Sequence, residues 1–381
     1  MNQDLALRTL SSIMGWPDDR ARAEFAWLRL MARVKYDDYS DFLAGVRFVE
    51  SLVQWLQQFE PNEREVAYGF IRSQLVYISA AEMQRLVESF YPEFVQSYLL
   101  QRIAKASGIP RYRVWSHPGG TAIFERLRRK TLFMGLSDGA RIDILRHTNV
   151  GTISNEQVAL STQLDSDKWR DLLKKLRKDT GEKEARFAIV YLIDDFMGTG
   201  TSFLRFNEER AEWTGKLARF RDSVQLALRD LADDPPFDQQ WELCVHHHLA
   251  TWKAATEVSA RIEKATDALR SPIGFGSIHS SFGLVLPRDL PIDEAPAQNA
   301  AVIALTRKYY DPVLRTEHTD VGGVTHLGLG YGGCALPLVL EHNTPNNSIA
   351  LLWAETKGGQ DESGQPVPAM RSLFRRRQRH G

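Results

Sequence analysis

The sequence has few cysteines, no excess of either charge and no long apolar run. Cys244 and Cys334 are the two cysteines among 381 residues, and neither lies in a CxxC or metal-binding spacing. A disulfide framework is therefore not expected, and a reducing compartment fits. The 48 basic and 48 acidic residues give a formal net charge of zero. Global charge thus gives no reason to expect a nucleic acid or an anionic membrane as the partner.

Targeting signals and membrane spans are also missing. The first residues, MNQDLALRTL, lack the basic-then-apolar order of a signal peptide. No apolar run approaches the roughly 20 residues that span a bilayer. We therefore expect a cytoplasmic protein without a membrane partner. A hydrophobic content of 43% is typical of a globular chain with a substantial core, and the length favours two domains.

The first third of the chain has helical periodicity. Apolar residues recur at three- and four-residue spacing in residues 41–59 and 66–75. Ser79 and Glu82 form a capping box before a further apolar stripe. We predict an α-helical domain over residues 1–115. It either packs as a bundle on the next domain or docks a protein partner.

Short apolar runs alternate with helical segments after residue 130. The runs are TLFMGL (131–136), RFAIVYLIDD (186–195), WELCVHHHLATW (241–252) and SIHSSFGLVLP (277–287). This alternation predicts an α/β domain over residues 116–358 with a mostly parallel sheet flanked by helices. A polar, basic tail is predicted over 359–381. Its five arginines between Arg371 and Arg379 either bind phosphate or nucleic acid, or are solvated or folded back on acidic surface.

Two adjacent carboxylates and a glycine-rich loop follow the second apolar run. Asp194 and Asp195 come at the carboxyl end of the predicted strand, where open parallel sheets bind ligands. Side chains alternate along a strand, so the two carboxylates should diverge. The loop Gly198-Thr199-Gly200-Thr201-Ser202 offers close backbone approach and hydroxyl donors. Residues 203–210, FLRFNEER, have a helical pattern, which would place an anion on a helix N-terminus. The pattern favours a sugar phosphate as the ligand.

The stretch from Tyr191 to Ser202 resembles the phosphoribosyl-pyrophosphate motif of type I phosphoribosyltransferases. The resemblance implies that Asp194 and Asp195 are the catalytic, ribose-binding residues and act at a Mg²⁺ site. It also implies a 5′-phosphate loop and a type I phosphoribosyltransferase-like sheet. The earlier segment LFMGLSDGARID is similar in position to the family's pyrophosphate loop. The implied ligand-binding residues are Gly198, Thr199, Gly200, Thr201 and Ser202 in the first loop, and Ser137, Asp138 and Gly139 in the second.

Gly198 departs from that motif, because several members carry a third acid there that serves as a general base. The absence of that acid leaves two functions open: a phosphoribosyltransferase, or a catalytically inactive sensor or scaffold that binds a protein or nucleic acid. The chain also resembles phosphoribosyltransferase-like proteins of bacterial conflict systems, including retron-associated ones. The segments that carry this resemblance are VKYDDYSDFL, LVYIS, GLSDGARID, LEHNTPNNSIALLW and FRRRQRH. It implies a toxic effector in anti-phage defence.

Other interpretations of these motifs are weaker. A nucleotide hydrolase needs Gly-Lys-Ser/Thr in its phosphate loop, which the sequence lacks. A dinucleotide site needs G-x-G-x-x-G, and Gly198-Thr199-Gly200 lacks the third glycine of that motif. In a purely structural interpretation, the aspartate pair caps a helix and the glycines form a tight turn. Either feature alone is common, but both at this spacing after an apolar strand are not. His246, His247 and His248 have no neighbouring Cys or acid to complete a metal site, which favours core or surface histidines.

Two further groups of residues are candidates for ligand contacts. The segment around His342 and Asn343 is either a loop over a base or ordinary turn chemistry. Arg141 and Arg146 flank the earlier loop and are candidate phosphate partners.

Overall fold

The computed structural model describes residues 3–294, 297–360 and 364–376. Its contacts divide the chain into a sheet unit, Met83–Pro287, and a helical unit, Met1–Glu82 with Arg288–Gly381. This grouping differs from the segments predicted with boundaries at 115 and 358. Residues 83–115 pack with the sheet unit, and residues 288–358 return to the helical unit, because pairing across long sequence separations decides the grouping.

The bounds of the helices follow in chain order. They are α1 (Gln3–Met14), α2 (Asp18–Val34), α3 (Phe48–Leu56), α4 (Arg64–Ser73), α5 (Ala80–Ser89), α6 (Gln96–Ser107), α7 (Gly120–Arg129), α8 (Ile142–Thr148), α9 (Ser166–Thr180), α10 (Lys216–Asp230), α11 (Trp252–Arg270), α12 (Ala297–Lys308), α13 (Glu317–Val321) and α14 (Ala350–Trp353). Before α5, the amide of Ser79 donates to Glu82 at 2.8 Å and the amide of Glu82 donates to Ser79 Oγ at 3.3 Å. The structure thus contains the predicted capping box. No helix among the described residues is both long and apolar enough to cross a membrane.

The strands are short except in one sheet. They are β1 (Val76–Ile78), β2 (Thr131–Gly135), β3 (Val158–Ala159), β4 (Phe187–Met197), β5 (Arg205–Asn207), β6 (Glu212–Thr214), β7 (Phe237–Ala250), β8 (Ser277–Val285), β9 (Leu338–Leu340), β10 (Gly359–Gln360) and β11 (Pro366–Val367). The sheet unit holds a five-stranded sheet in the order β3-β2-β4-β7-β8. All four pairings are parallel, which confirms the predicted α/β fold.

Helices cover both faces of this sheet. β4 lies at its centre, and every residue from Phe187 to Asp194 is buried, as expected of a parallel strand enclosed on both sides. On one face, Val190 and Leu192 pack with residues of α9, α10 and α11. On the other face, Ile189, Tyr191 and Ile193 pack with residues of α6, α7 and α8. Alternate residues of β4 therefore point to opposite layers.

The helical unit has its own core and a small parallel ladder. β1 pairs with β9 in the register Val76↔Leu338. The indole of Trp55, which is fully buried, donates to the carbonyl of Leu351 at 2.7 Å. These contacts join the first 82 residues to the last 94 within one core.

Part of the predicted polar tail is buried in that core. Leu373 and Phe374 have no exposed surface, and the ring of Phe374 stacks on Phe48 with centroids 5.7 Å apart. Arg375 pairs with Glu355 at 3.4 Å. Two further arginines of the predicted basic cluster, Arg377 and Arg379, lie outside the described residues.

Candidate functional site

The two predicted ligand loops are neighbours at the carboxyl edge of the sheet. β2 and β4 pair in parallel up to Gly135↔Ile193, and the amide of Leu136 donates to the carbonyl of Ile193 at 2.8 Å. Residues 137–139 follow β2, and residues 198–202 follow β4. The aspartate pair lies within the last residues of β4 itself. Parallel pairing therefore brings together the two segments that sequence order separates by about sixty residues.

Asp194 is a buried carboxylate with two partners. One of its oxygens accepts a hydrogen bond from Oγ of Ser137, and the other forms an ion pair with Nζ of Lys216. Burial raises the pKa of Asp194 to about 6, although Lys216 opposes the shift and Asp195 adds to it. Ser137 belongs to the earlier loop and Lys216 begins α10. Asp194 thus links three segments at one point of the site.

Asp195 points to the opposite face of β4 and is half-buried. A Cβ built on Gly139 would lie 2.4 Å from Oδ2 of Asp195. The earlier loop can therefore approach this carboxylate only with glycine at that position. The pairing Asp194↔His247 makes His248 the cross-strand neighbour of Asp195. The two carboxylates diverge as the strand periodicity predicts.

The three consecutive histidines of β7 are buried beside the acid pair. Burial lowers the pKa of His247 to about 3 and that of His248 to about 4, and it lowers the pKa of His246 well below 6.5. Nε2 of His247 lies 3.9 Å from Oδ2 of Asp194. Because the ring is neutral at neutral pH, this contact is not an ion pair. No metal-binding group of three or more His, Cys, Asp or Glu occurs among the described residues.

The backbone of the predicted phosphate loop is fixed through its carbonyl oxygens. All five accept hydrogen bonds from other parts of the sheet unit. The donors are Oγ1 of Thr251 to Gly198 at 2.6 Å, Nη1 of Arg261 to Thr199 at 2.8 Å, the amide of Leu204 to Gly200 at 2.9 Å, Nη1 of Arg205 to Thr201 at 3.3 Å, and the amide of Lys216 to Ser202 at 3.0 Å. The loop is thereby held in one conformation.

The amides of the same loop are the backbone groups that remain for a ligand. The amide of Thr201 donates to Oγ1 of Thr199 at 3.4 Å. Within the described part of the chain, the amides of Gly198, Thr199, Gly200 and Ser202 donate to no protein acceptor. Gly200 has a positive φ of 73°, which L side chains rarely adopt. A turn with engaged carbonyls and available amides suits an anion.

The segment after this loop is not the predicted helix. Arg205–Asn207 and Glu212–Thr214 form an antiparallel hairpin, with Phe206 opposite Trp213. The next helix is α10, and its first amides donate to the carbonyls of Ser202 and Phe203. The prediction of an anion on a helix N-terminus directly after the loop was wrong, because a hairpin follows the loop and the first amides of α10 already donate to the carbonyls of Ser202 and Phe203.

The remaining predicted positions are divided among several places. Ser137, Asp138 and Gly139 form the turn after β2, with Asp138 exposed. Arg146 donates to Oδ1 of Asn155 at 3.1 Å, and Arg141 precedes α8 in a left-handed conformation with φ 53°. His342 and Asn343 belong to the helical unit, where His342 bonds to the carboxylate of Glu341.

Four residues of the site were not identified from the sequence: Lys216, His247, Thr251 and Arg261. A signal existed for Lys216. A lysine at the first position of a helix is unfavourable with the helix dipole, which indicates that the lysine has a role outside the helix. His247 and Arg261 reach the site only through strand register and helix packing, which the local sequence does not display. Thr251 could be found as the N-cap of α11, which it is, but not as a loop donor.

The donor set fits Mg²⁺ bound partly by a ligand. Two carboxylates and a hydroxyl supply hard oxygen atoms, and Mg²⁺ is commonly held by one or two carboxylates together with substrate phosphates. Because the two carboxylates leave opposite faces of β4, either Asp194 or Asp195 would hold the ion together with ligand oxygens, and the ion would neutralise phosphate charge. Asp194 is buried and Asp195 is half-buried, so Asp195 is the more accessible of the two carboxylates.

Comparison with known proteins gives a family. A family model described as PRTase-CE matches residues 52–376, which is most of the chain and includes both loops and the acid pair. No curated protein and no solved structure matches the chain.

Proposed function

The chain belongs to the PRTase-CE family, a phosphoribosyltransferase-type family, and we propose that its sheet unit binds phosphoribosyl pyrophosphate, or a related nucleotide, with Mg²⁺. In this proposal residues 198–202 bind the 5′-phosphate through backbone amides. Asp194 and Asp195 bind the ribose hydroxyls, and Ser137, Asp138 and Gly139 bind the pyrophosphate. Transfer or cleavage at ribose C1′ is the chemistry that such a complex would support.

The fixed backbone of the phosphate loop is the observation that carries this proposal. A turn whose five carbonyl oxygens all accept hydrogen bonds presents its amides without rearrangement when an anion arrives. Such preorganisation lowers the cost of binding. Its position one residue after the strand that carries two carboxylates supports a ligand with a phosphate and sugar hydroxyls.

Calorimetric titration of the full chain with phosphoribosyl pyrophosphate and Mg²⁺ tests the proposal. We expect binding to the wild type and a loss of roughly 10- to 100-fold in affinity for Asp195→Asn, the effect of removing charged hydrogen bonds. Asp167→Asn is the matched control, because Asp167 is an exposed acid of α9 with 93% of its side-chain surface accessible. Heat signals that are absent for the wild type, or equal in all three proteins, would reject the proposal.

A catalytically inactive sensor or scaffold is the second candidate function. Gly198 favours it, since that position carries no carboxylate to act as a general base, and its carbonyl is held by Thr251. The two candidates differ in turnover. An enzyme releases pyrophosphate from phosphoribosyl pyrophosphate when a suitable acceptor is present, whereas a sensor binds the ligand and leaves it intact. Steady release by the wild type that Asp195→Asn abolishes would exclude the sensor.

A role as effector in bacterial anti-phage defence is the biological part of the proposal. Its support is the resemblance to conflict-system proteins, and a protein or nucleic-acid partner would then control the effector. The test is the plating efficiency of phages on cells that express the chain within its native gene neighbourhood. We expect protection by the wild type and none by Asp195→Asn. Equal plating on both strains across a broad phage panel would contradict this role.

A further inference from the structure

Lys216 occupies an unfavourable position for a cation. It is the first residue of α10, and the first turn of that helix contains no acidic residue. The positive end of a helix dipole disfavours a lysine there. Its presence is therefore explained by contacts outside the helix.

Those contacts place the lysine between the two ligand loops. Its amide donates to the carbonyl of Ser202, in the phosphate loop. Its Nζ pairs with one oxygen of Asp194, whose other oxygen accepts from Ser137 in the earlier loop. The ammonium group is thus separated from Ser137 by a single carboxylate. This is where the charge of a diphosphate would lie if residues 137–139 bind it.

The ion pair competes with the ligand for Asp194. The side chain of Asp194 is 2% exposed and both of its oxygens have a partner, so a ribose hydroxyl or a metal ion can reach an oxygen only if Ser137 or Lys216 moves aside. The lysine side chain is 21% exposed and flexible, whereas the carboxylate is 2% exposed. An uncompensated carboxylate at that depth is costly. Lys216 can therefore leave only when the ligand supplies replacement donors.

We propose that Lys216 is an exchangeable counter-ion: it leaves Asp194 when sugar hydroxyls or a metal ion replace it, and its ammonium group then binds the diphosphate. This inference rests on the proposed function of the same site. It makes Lys216 a specificity-determining residue. A metal-free diphosphate without a sugar cannot compensate Asp194 and cannot recruit the lysine, so the site distinguishes phosphoribosyl pyrophosphate from metal-free inorganic pyrophosphate.

Two variants separate exchange from a purely structural ion pair. Lys216→Met should lower the affinity for phosphoribosyl pyrophosphate with Mg²⁺ by roughly 10- to 100-fold, the effect of one lost charged contact. Asp194→Asn should have opposite effects on two ligands. It weakens phosphoribosyl pyrophosphate but tightens inorganic pyrophosphate measured without metal, since Lys216 is then released. A structural ion pair would predict weaker binding of both ligands to Asp194→Asn.

The controls address folding and charge. Lys264→Met carries the same substitution at an exposed position of α11 and should bind as the wild type does. Lys216→Arg keeps the charge and should retain most of the affinity. If Lys216→Met does not fold, the double variant Asp194→Asn with Lys216→Met replaces it, because neither charge remains buried. It should lose the pyrophosphate affinity that Asp194→Asn gains, and equal affinity of these two variants would overturn the exchange.

The ligand comparison separates this inference from the proposed function. Wild-type binding of phosphoribosyl pyrophosphate that Lys216→Met leaves unchanged would overturn the exchange and leave the function standing. A wild type that binds pyrophosphate but not phosphoribosyl pyrophosphate would refute the proposed function and the exchange with it. In that case, a Lys216 dependence of pyrophosphate binding would describe a simple anion site.

Discussion

Each aspartate of the pair has a buried histidine as its neighbour on the adjacent strand. The register places His247 beside Asp194, and it makes His248 the cross-strand neighbour of Asp195 on the opposite face. Burial keeps both rings neutral at neutral pH. A neutral imidazole can donate one hydrogen bond without adding charge. The histidines thus line the site with neutral polar groups. Lys216 is the cation that contacts Asp194.

His246, the first histidine of the run, makes the protein sensitive to acid. His246 is fully buried, packs against Phe90 and Phe94, and shares a hydrogen bond of 2.9 Å with Ser281. Its pKa is far below the value of about 6.5 in the unfolded chain. Below that value the unfolded state binds the proton and the folded state does not. The contribution of His246 to stability is therefore complete above pH 6.5 and is lost as the pH decreases.

We predict that this single histidine costs about 2 kcal/mol of unfolding free energy between pH 7.5 and pH 5. Urea unfolding at several pH values measures the slope. His246→Gln should reduce the slope of the unfolding free energy against pH by the contribution of one proton, whatever its effect on stability at pH 7.5. His279→Gln, at an exposed position of β8, should leave the slope unchanged. Identical slopes for wild type and His246→Gln would contradict the prediction.

At the residue scale, site residues could be predicted from the sequence where they are neighbours in the chain. Asp194, Asp195 and the loop after them stand together in the chain, and their divergence follows from the strand period. Lys216 and His247 could not be found in this way, because they meet Asp194 through folding. Strand register and the hairpin between β5 and β6 decide which side chains arrive, and neither is encoded in a short motif.

At the scale of elements, α11 holds the proposed phosphate loop, residues 198–202. Oγ1 of Thr251 accepts from the amide of Ala254 at 3.0 Å, which caps the helix, and donates to the carbonyl of Gly198 at 2.6 Å. Ten residues further along the helix, Arg261 donates to the carbonyl of Thr199. One helix thus fixes two consecutive peptide groups of the loop.

Thr251→Val should loosen that connection while keeping the side-chain shape. The loss of a cap and of a buried hydrogen bond should lower the free energy of unfolding by about 1–3 kcal/mol. It should also weaken binding of phosphoribosyl pyrophosphate, since the loop then orders at a cost. Thr251→Ser should preserve both properties.

Chemical denaturation and calorimetry on the same preparations measure these effects. Thr256→Val removes an exposed hydroxyl of the same helix, which bonds only to the carbonyl four residues earlier, and serves as control. A Thr251→Val protein that binds as tightly as Thr256→Val would show that the loop keeps its conformation without this donor.

The elements were predictable where the pattern is long and local. The four apolar runs each form a strand of the sheet. In β2 and most of β4 the strand is a continuous buried segment, as expected of enclosed parallel strands. β3 has two residues, too few for a periodicity. Residues 203–210 looked helical, yet Phe206 pairs with Trp213 across a turn, with ring centroids 5.3 Å apart. Cross-strand pairing of aromatic side chains outweighed the local helical pattern there.

At the scale of the whole molecule, the chain leaves one unit and returns to it. The helical unit is formed by residues 1–82 together with 288–381, and the sheet unit is a continuous insertion between them. Composition and periodicity could not show this insertion, because they describe consecutive residues and not contacts between distant segments. The return becomes visible only in pairs such as β1 with β9, and Tyr36 with Phe374.

This arrangement predicts how the chain can be divided. The buried apolar clusters of the sheet unit consist wholly of residues between Val87 and Phe275. The predicted site residues lie in the same unit. A fragment of residues 79–287, which keeps the Ser79 cap of α5, should therefore unfold cooperatively and bind phosphoribosyl pyrophosphate with Mg²⁺ as the full chain does.

A fragment of residues 1–287 is the informative counterpart. It keeps the first helices but lacks Val339, Leu351 and Phe374, which complete their core. The apolar faces of those helices then remain uncovered, and we expect aggregation or partial unfolding despite the greater length. Circular dichroism, denaturant titration and size-exclusion chromatography of both fragments measure the difference. If residues 1–287 are the better-folded fragment, the N-terminal helices do not depend on the returning segment, and the division into these two units is incorrect.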